Sequence, residues 1–291
     1  MLFPLVLIVL IILGFYYGKK VKNPTVSQPQ IVVSSYVPYT LAKQLSGGQL
    51  NIEMLLPPNA EPHAFEPSPG SLVQVHRAAA FVYVSNRLEP WARDVLGAAG
   101  QNTRVVELAA ELPVGEDPHV WMDFGQVIDM ARRIEALLAE IDPAHATDYR
   151  ANLAGFETEI AVLDRDFANS LVTCQHREIV HIGHLAFGAL AKRYHLSITA
   201  LAGTSHDGEH SAHKLADLVK HIRAKQVKTL FTEEAVSPRL AEAVATETGA
   251  EMLPLYTIEH VSKTDFDSAV TYAQLMQRNL KSLKQGLVCR S

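Results

Sequence analysis

Residues 142–172, DPAHATDYRANLAGFETEIAVLDRDFANSLV, divide the chain in two. Asp142 is a favourable N-cap, and Pro143 suits the first helical position. Apolar residues then recur at Leu153, Phe156, Ile160, Leu163, Phe167 and Leu171, in steps of three and four that put them on one helical face. Past Pro143 no proline interrupts the run, and Gly155 is its one glycine. At 1.5 Å per residue such a helix reaches about 40 Å, enough to run the length of two lobes. It is stiff where a Gly/Ser linker is loose, so this stretch predicts a rigid connection and a largely preformed site between the lobes.

Short apolar runs bounded by turn residues lie on both sides of it. On the N-terminal side they cover residues 31–34, 52–56, 81–84 and 105–108; on the C-terminal side they cover 179–181, 198–201, 229–232 and 252–255. Continuous apolar runs of this length read as parallel strands buried on both faces. Amphipathic stretches at 126–140, 213–225 and 238–248 alternate with them. The fold class is therefore α/β: two lobes, each a roughly four-stranded parallel sheet flanked by helices, joined by one long rigid helix. The expected boundaries are an N-terminal lobe at 31–141, the connecting helix at 142–173 and a C-terminal lobe at 174–291. A length of 291 residues also favours two lobes over one.

Residues 2–17 are almost wholly apolar, and Gly18-Lys19-Lys20 follows them. At about 16 residues the run is short for a membrane span and right for a signal h-region. No basic residues precede it and no Ala-x-Ala cleavage site follows it. Residues 1–22 are thus expected to be a signal or anchor segment, with 23–30 a polar linker, and the rest of the chain to be extracytoplasmic. A net charge of −5 gives no ground for a nucleic-acid partner. The two cysteines, Cys174 and Cys289, fit no CxxC pattern; in an exported protein they could pair.

The chemistry lies in the histidines. Leu56-Pro57-Pro58-Asn59-Ala60-Glu61-Pro62-His63-Ala64-Phe65-Glu66-Pro67-Ser68-Pro69 places His63 in a proline-stiffened loop between a strand and a helix. Loops after the carboxyl ends of strands are where α/β folds bind ligands. Gly115-Glu116-Asp117-Pro118-His119-Val120-Trp121-Met122-Asp123 repeats the pattern. There Trp121 and Met122 supply an apolar wall, Asp117 or Asp123 can take the second ring proton of His119, and Asp123 suits a helix N-cap. In Ile179-Val180-His181-Ile182-Gly183-His184-Leu185-Ala186-Phe187 a strand ends at His181, and His184 opens the next helix. One of His181 and His184 is expected to be a ligand and the other to support it. Imidazoles gathered after strand ends in two lobes suit a divalent transition metal, zinc above all. A zinc hydrolase would use a similar set, but the chain has no HExxH helix, no Gly-x-Ser-x-Gly elbow and no phosphate loop.

These segments resemble the metal-ion substrate-binding proteins of ATP-binding-cassette (ABC) importers, and within the zinc/manganese group the ZnuA-like zinc-binding members. Three motifs carry the resemblance: Pro62-His63-Ala64-Phe65-Glu66-Pro67-Ser68-Pro69, Asp117-Pro118-His119-Val120-Trp121, and His184-Leu185-Ala186-Phe187-Gly188 with Lys192-Arg193-Tyr194. Leu230-Phe231-Thr232-Glu233 and Val236-Ser237-Pro238 extend it over roughly residues 31–283. It implies that His63 and His119 bind the metal from the first lobe and His184 from the second. Many members add an aspartate after the last strand, which Leu253-Pro254-Leu255-Tyr256-Thr257-Ile258-Glu259-His260 lacks. Zinc-binding members supply a glutamate slightly later, which is Glu259 here; His260 and water are the alternatives.

Manganese-selective members carry a carboxylate where this chain has His184. Three imidazoles therefore point to one Zn2+ per chain over Mn2+. The resemblance further implies delivery to an ABC permease; the chain is expected to act as a monomer and, lacking catalytic motifs, without enzymatic activity, and a metal-containing adhesin is the other reading of such a protein. His206 and His210, in His206-Asp207-Gly208-Glu209-His210, are candidates for an auxiliary metal site.

Overall fold

The computed structural model describes residues 30–112, 117–204, 212–233 and 238–290. The expected signal or anchor segment, most of the linker, His206 and His210 lie outside them. Among the described residues, no helix is long and apolar enough to cross a membrane.

The first sheet contains β1 (Gln30–Val33), β2 (Asn51–Met54), β3 (Ala80–Tyr83) and β4 (Arg104–Glu107), all parallel, in the order β2-β1-β3-β4. Helices α1 (Tyr36–Ser46), α2 (Pro69–Arg77) and α3 (Ala92–Ala98) connect them. A 3₁₀ turn at Val120–Met122 then leads into α4 (Phe124–Ile141). The second sheet repeats the plan with β5 (Glu178–Ile182), β6 (Ser197–Ala200), β7 (Thr229–Thr232) and β8 (Glu251–Pro254), in the order β6-β5-β7-β8. After the long helix α5 (Ala146–Leu171), this half carries α6 (Gly188–Arg193), α7 (Ala212–Lys225), α8 (Pro238–Thr248), α9 (Lys263–Asp267) and α10 (Tyr272–Gly286).

Both faces of each sheet are covered, which is why the strands read as unbroken apolar runs. In β1, Ile31 and Val33 face the central core while Val32 faces a smaller outer cluster with Phe81 and Val95. In β5, Ile179 faces the centre, whereas Val180 and Ile182 pack outward with Leu230 and Ile222. Several strands begin on a polar residue, namely Gln30, Asn51, Arg104, Glu178, Ser197 and Glu251. Pairing therefore starts about one residue before the apolar run, on backbone whose side chain sits at the sheet's rim.

The long helical run begins at Pro143, as expected, but its first turn is of a different kind. Pro143–His145 form a 3₁₀ turn and the α-helix proper begins at Ala146. The Asp142 carboxylate does not cap the backbone; it accepts the Tyr149 hydroxyl at 2.7 Å and lies 2.6 Å from His145 Nδ1. Tyr149, Phe156, Ile160, Leu163, Phe167 and Leu171 form the buried face of α5. They belong to one core that also takes in Ile31 and Val82 from the first sheet and Ile179 and Phe231 from the second. The lobes thus share a packed interior. Helix α10 lies against α5 and β8, and a Cys174–Cys289 disulfide joins the chain's last turn to the end of α5.

Candidate metal centre

His63 and His119 follow β2 and β4; His184 and Glu259 follow β5 and β8. All four thus come from carboxyl ends of strands, and the two sheets turn those ends toward one cleft. His119, His184 and Glu259 are fully buried, and the His63 side chain is only 5% exposed. Their ligand atoms lie within 4.8 Å of one another.

Glu259 Oε1 is 2.7 Å from His119 Nε2 and 2.9 Å from His184 Nε2, and those two nitrogens are 3.1 Å apart. Glu259 Oε2 is 3.8 Å from His63 Nε2. A tetrahedral zinc with bonds near 2.0–2.1 Å has ligand–ligand edges of about 3.3 Å, which these distances bracket. His63 Nε2 and Glu259 Oε2 are buried without a hydrogen-bond partner. Lone pairs packed this closely away from water need a proton or a cation among them.

The rings are held from behind. Asp117 Oδ1 lies 2.6 Å from His119 Nδ1 and also accepts the His119 backbone N–H at 3.0 Å. Glu233 stands within 3.0–3.1 Å of His184 Nδ1. Each carboxylate holds a ring proton on Nδ1 and turns Nε2 inward. His63 is fixed through its backbone: its N–H donates to Glu61 Oε1 at 3.2 Å, while the Pro62 carbonyl accepts the Trp91 indole at 2.7 Å. Trp121 packs edge-on against His119 and donates to the Thr257 carbonyl at 2.8 Å, joining the wall of one lobe to the loop that carries Glu259.

Residues 31–286 match the ZnuA family, described as zinc-uptake complex component A, periplasmic. The chain belongs to this family. It is 30% identical over 282 residues to the high-affinity zinc uptake system protein ZnuA of Bacillus subtilis, covering 90% of this chain and 88% of that one. It is 28% identical over 276 residues to the zinc-binding lipoprotein AdcA of Streptococcus pneumoniae, covering 88% of this chain but only 55% of that one. The chain thus spans about half the length of this second relative. The Zn(II)-bound ZnuA-like domain of that AdcA superposes with a TM-score of 0.78 at 29% identity, over 89% of this chain and 99% of that one.

Within this ZnuA-family chain the site's electrostatics are sharply divided. Burial pushes Glu259 upward, but the imidazoles of His184 and His119 outweigh it and hold the carboxyl well below its usual range. Burial lowers His184, yet Glu259 and Glu233 together bring it up to about 11. His119 is likewise raised, Glu259 and Asp117 overcoming its burial. His63 goes the other way, because burial outweighs the pull of Glu259 and keeps the ring neutral.

His181 does not join the quartet. It is buried, and its Nδ1 lies 3.0 Å from the His184 carbonyl, so it braces the turn that presents His184. That turn is not helical: α6 begins at Gly188, and residues 184–187 form a loop whose first N–H is taken by Glu233. Gly183 is needed there, since a Cβ would come within 2.1 Å of Glu233 Oε1 and 2.6 Å of the His181 ring. His260 lies beside the quartet in a second group with Glu61 and Glu259. Asp123 caps α4 by accepting from Gly125 and Gln126. Glu61 and Glu233 are the functional neighbours that the sequence did not single out. The available signal was an acidic residue directly after a buried strand or two positions before a candidate histidine.

Proposed function

We propose that this protein captures one Zn2+ outside the cytoplasm through His63, His119, His184 and Glu259 and delivers it to an ABC permease as a monomer. The observation that carries this reading is the convergence of three inward-facing Nε2 atoms and one ionised carboxylate, from both lobes, in a site closed to water. Three imidazoles and one carboxylate match zinc's habitual donors and number, and they disfavour the harder Mn2+. A four-donor set leaves no open position for a reacting water, which supports carriage over zinc-dependent hydrolysis. The ZnuA family membership supports export and a permease partner.

Titration calorimetry of the purified protein tests the reading. One zinc per chain is expected, with His184→Ala weakening it by orders of magnitude and Glu259→Ala by less. Unchanged affinity in His184→Ala contradicts the assignment. An adhesin that uses the metal only structurally would keep its zinc when mixed with permease and a competing chelator.

A further inference from the structure

We propose that Glu61, His260 and Glu259 form an outer zinc position, a transient station between solvent and the inner quartet. This rests on reading the inner quartet as the zinc site.

The three side chains offer ligand atoms within 4.8 Å of one another. The inner quartet meets the same bound with four donors, whereas this set has three, so it suits a partly hydrated ion in transit and not a final one. His260 is only 7% exposed, and its Nδ1 is buried with no hydrogen-bond partner. A buried imidazole nitrogen left so carries a desolvation penalty that a passing cation would offset.

Glu259 belongs to both groups. Oε1 sits against His119 and His184, whereas Oε2 makes no hydrogen bond and lies 3.8 Å from His63. One carboxylate can therefore hold an ion on either side, and a rocking of that group carries zinc across while it stays coordinated. Exposure falls along the route, from 25% at the Glu61 side chain through His260 to zero at Glu259. Two carboxylates attract a dication as it sheds water, and His63 Nε2, buried with no hydrogen-bond partner, offers the first inner donor atom.

The station is built and not incidental. Glu61 and His260 come from different lobes, yet their loops are stitched by Asn59 N–H to the Val261 carbonyl at 3.0 Å. Tyr36 N–H to the Glu259 carbonyl, at 3.4 Å, anchors the same loop to the start of α1. Glu61 is further fixed by accepting the His63 N–H.

A residue that touches the ion only in transit alters loading and unloading equally and leaves the equilibrium nearly untouched. Stopped-flow zinc loading, chelator-driven unloading and equilibrium competition on the full chain read this directly. Glu61→Gln and His260→Gln should each slow both rates about tenfold or more, with affinity changed by less than about threefold. Glu61→Gln keeps the acceptor for His63 N–H, so it decides the matter even if His260→Gln fails to fold. Unchanged rates in the folded variants overturn the proposal. So does a loss of loading alone that vanishes with salt, which marks long-range attraction. A fall in affinity of about a hundredfold makes the residue an inner ligand and also overturns it. If the unaltered protein binds no zinc, the inner site itself is wrong.

Discussion

Glu233 grips His184 twice: its carboxylate accepts the backbone N–H at 3.0 Å and lies 3.0–3.1 Å from the ring Nδ1. One side chain at the end of β7 thereby fixes both the turn after β5 and the tautomer of the imidazole. Removing such a partner typically lowers metal affinity about 10–100-fold. Glu233→Ala is expected to weaken zinc by that factor in calorimetry, and Glu233→Gln by less, since an amide oxygen still accepts both protons. An affinity within about twofold of the unaltered protein would show that the grip is dispensable.

Zinc binding should be strongly pH-dependent. With no ion bound, His184, raised to about 11, carries a proton at neutral pH, and zinc must expel it because it binds the neutral ring. Lower pH favours the proton, so affinity should fall about tenfold per pH unit for each proton displaced. Calorimetry in buffers of differing ionisation enthalpy should count at least one proton released per zinc. Release of none would contradict the charge state assigned to the quartet.

Glu89 offers a stability test away from the metal centre. It is fully buried beside β1 and β3, where Ser35 donates to Oε1 at 2.7 Å and Val84 N–H to Oε2 at 2.8 Å. Burial still raises its carboxyl to about 7. A raised acid holds its proton more tightly when folded, so its stabilisation is full below pH ~4.5 and is lost as pH climbs through ~7. Glu89→Gln removes that dependence. Relative to the unaltered protein, the variant should gain up to ~3 kcal/mol between pH 5 and 8 in denaturant unfolding. Parallel pH profiles would contradict this.

Much of the fold could be read from the sequence because its signals are local. The three- and four-residue steps of Leu153 to Leu171 give α5, and apolar runs with both faces buried give two parallel sheets. His63, His119 and His184 were legible as histidines after strand ends in stiffened loops. Placing Glu259 in the cluster required a resemblance, because nothing local sets Ile258-Glu259-His260 apart from other loops. The supports of the site were hidden for another reason: Glu233 meets His184 across 49 positions, and Arg193 meets Asp123 across 70. Such partners exist only once the topology brings strand ends together. The helical run starts at Pro143 as the sequence indicates, but its first turn is 3₁₀ and Asp142 gives its carboxylate to Tyr149 and His145, partners that sequence does not reveal.

Arg193 ties the lobes to the helix between them. Its guanidinium forks onto Asp164 of α5 at 2.6 and 3.0 Å and reaches Asp123, the cap of α4, at 3.2 Å. Both partners pull its pKa further up. Arg193→Ala should cost about 1–3 kcal/mol and lower the melting temperature by several degrees. Arg193→Lys should recover little, since an ammonium cannot serve two carboxylates in a fork. A full rescue by lysine would show that charge alone matters.

The central claim is most directly tested by a crystal structure of the zinc-loaded protein with anomalous data on both sides of the zinc edge. The account predicts one strong peak, bonded at about 2.0–2.2 Å to Nε2 of His63, His119 and His184 and to a Glu259 oxygen. A peak held by other residues, or none at this cleft in protein that binds zinc in solution, would contradict it.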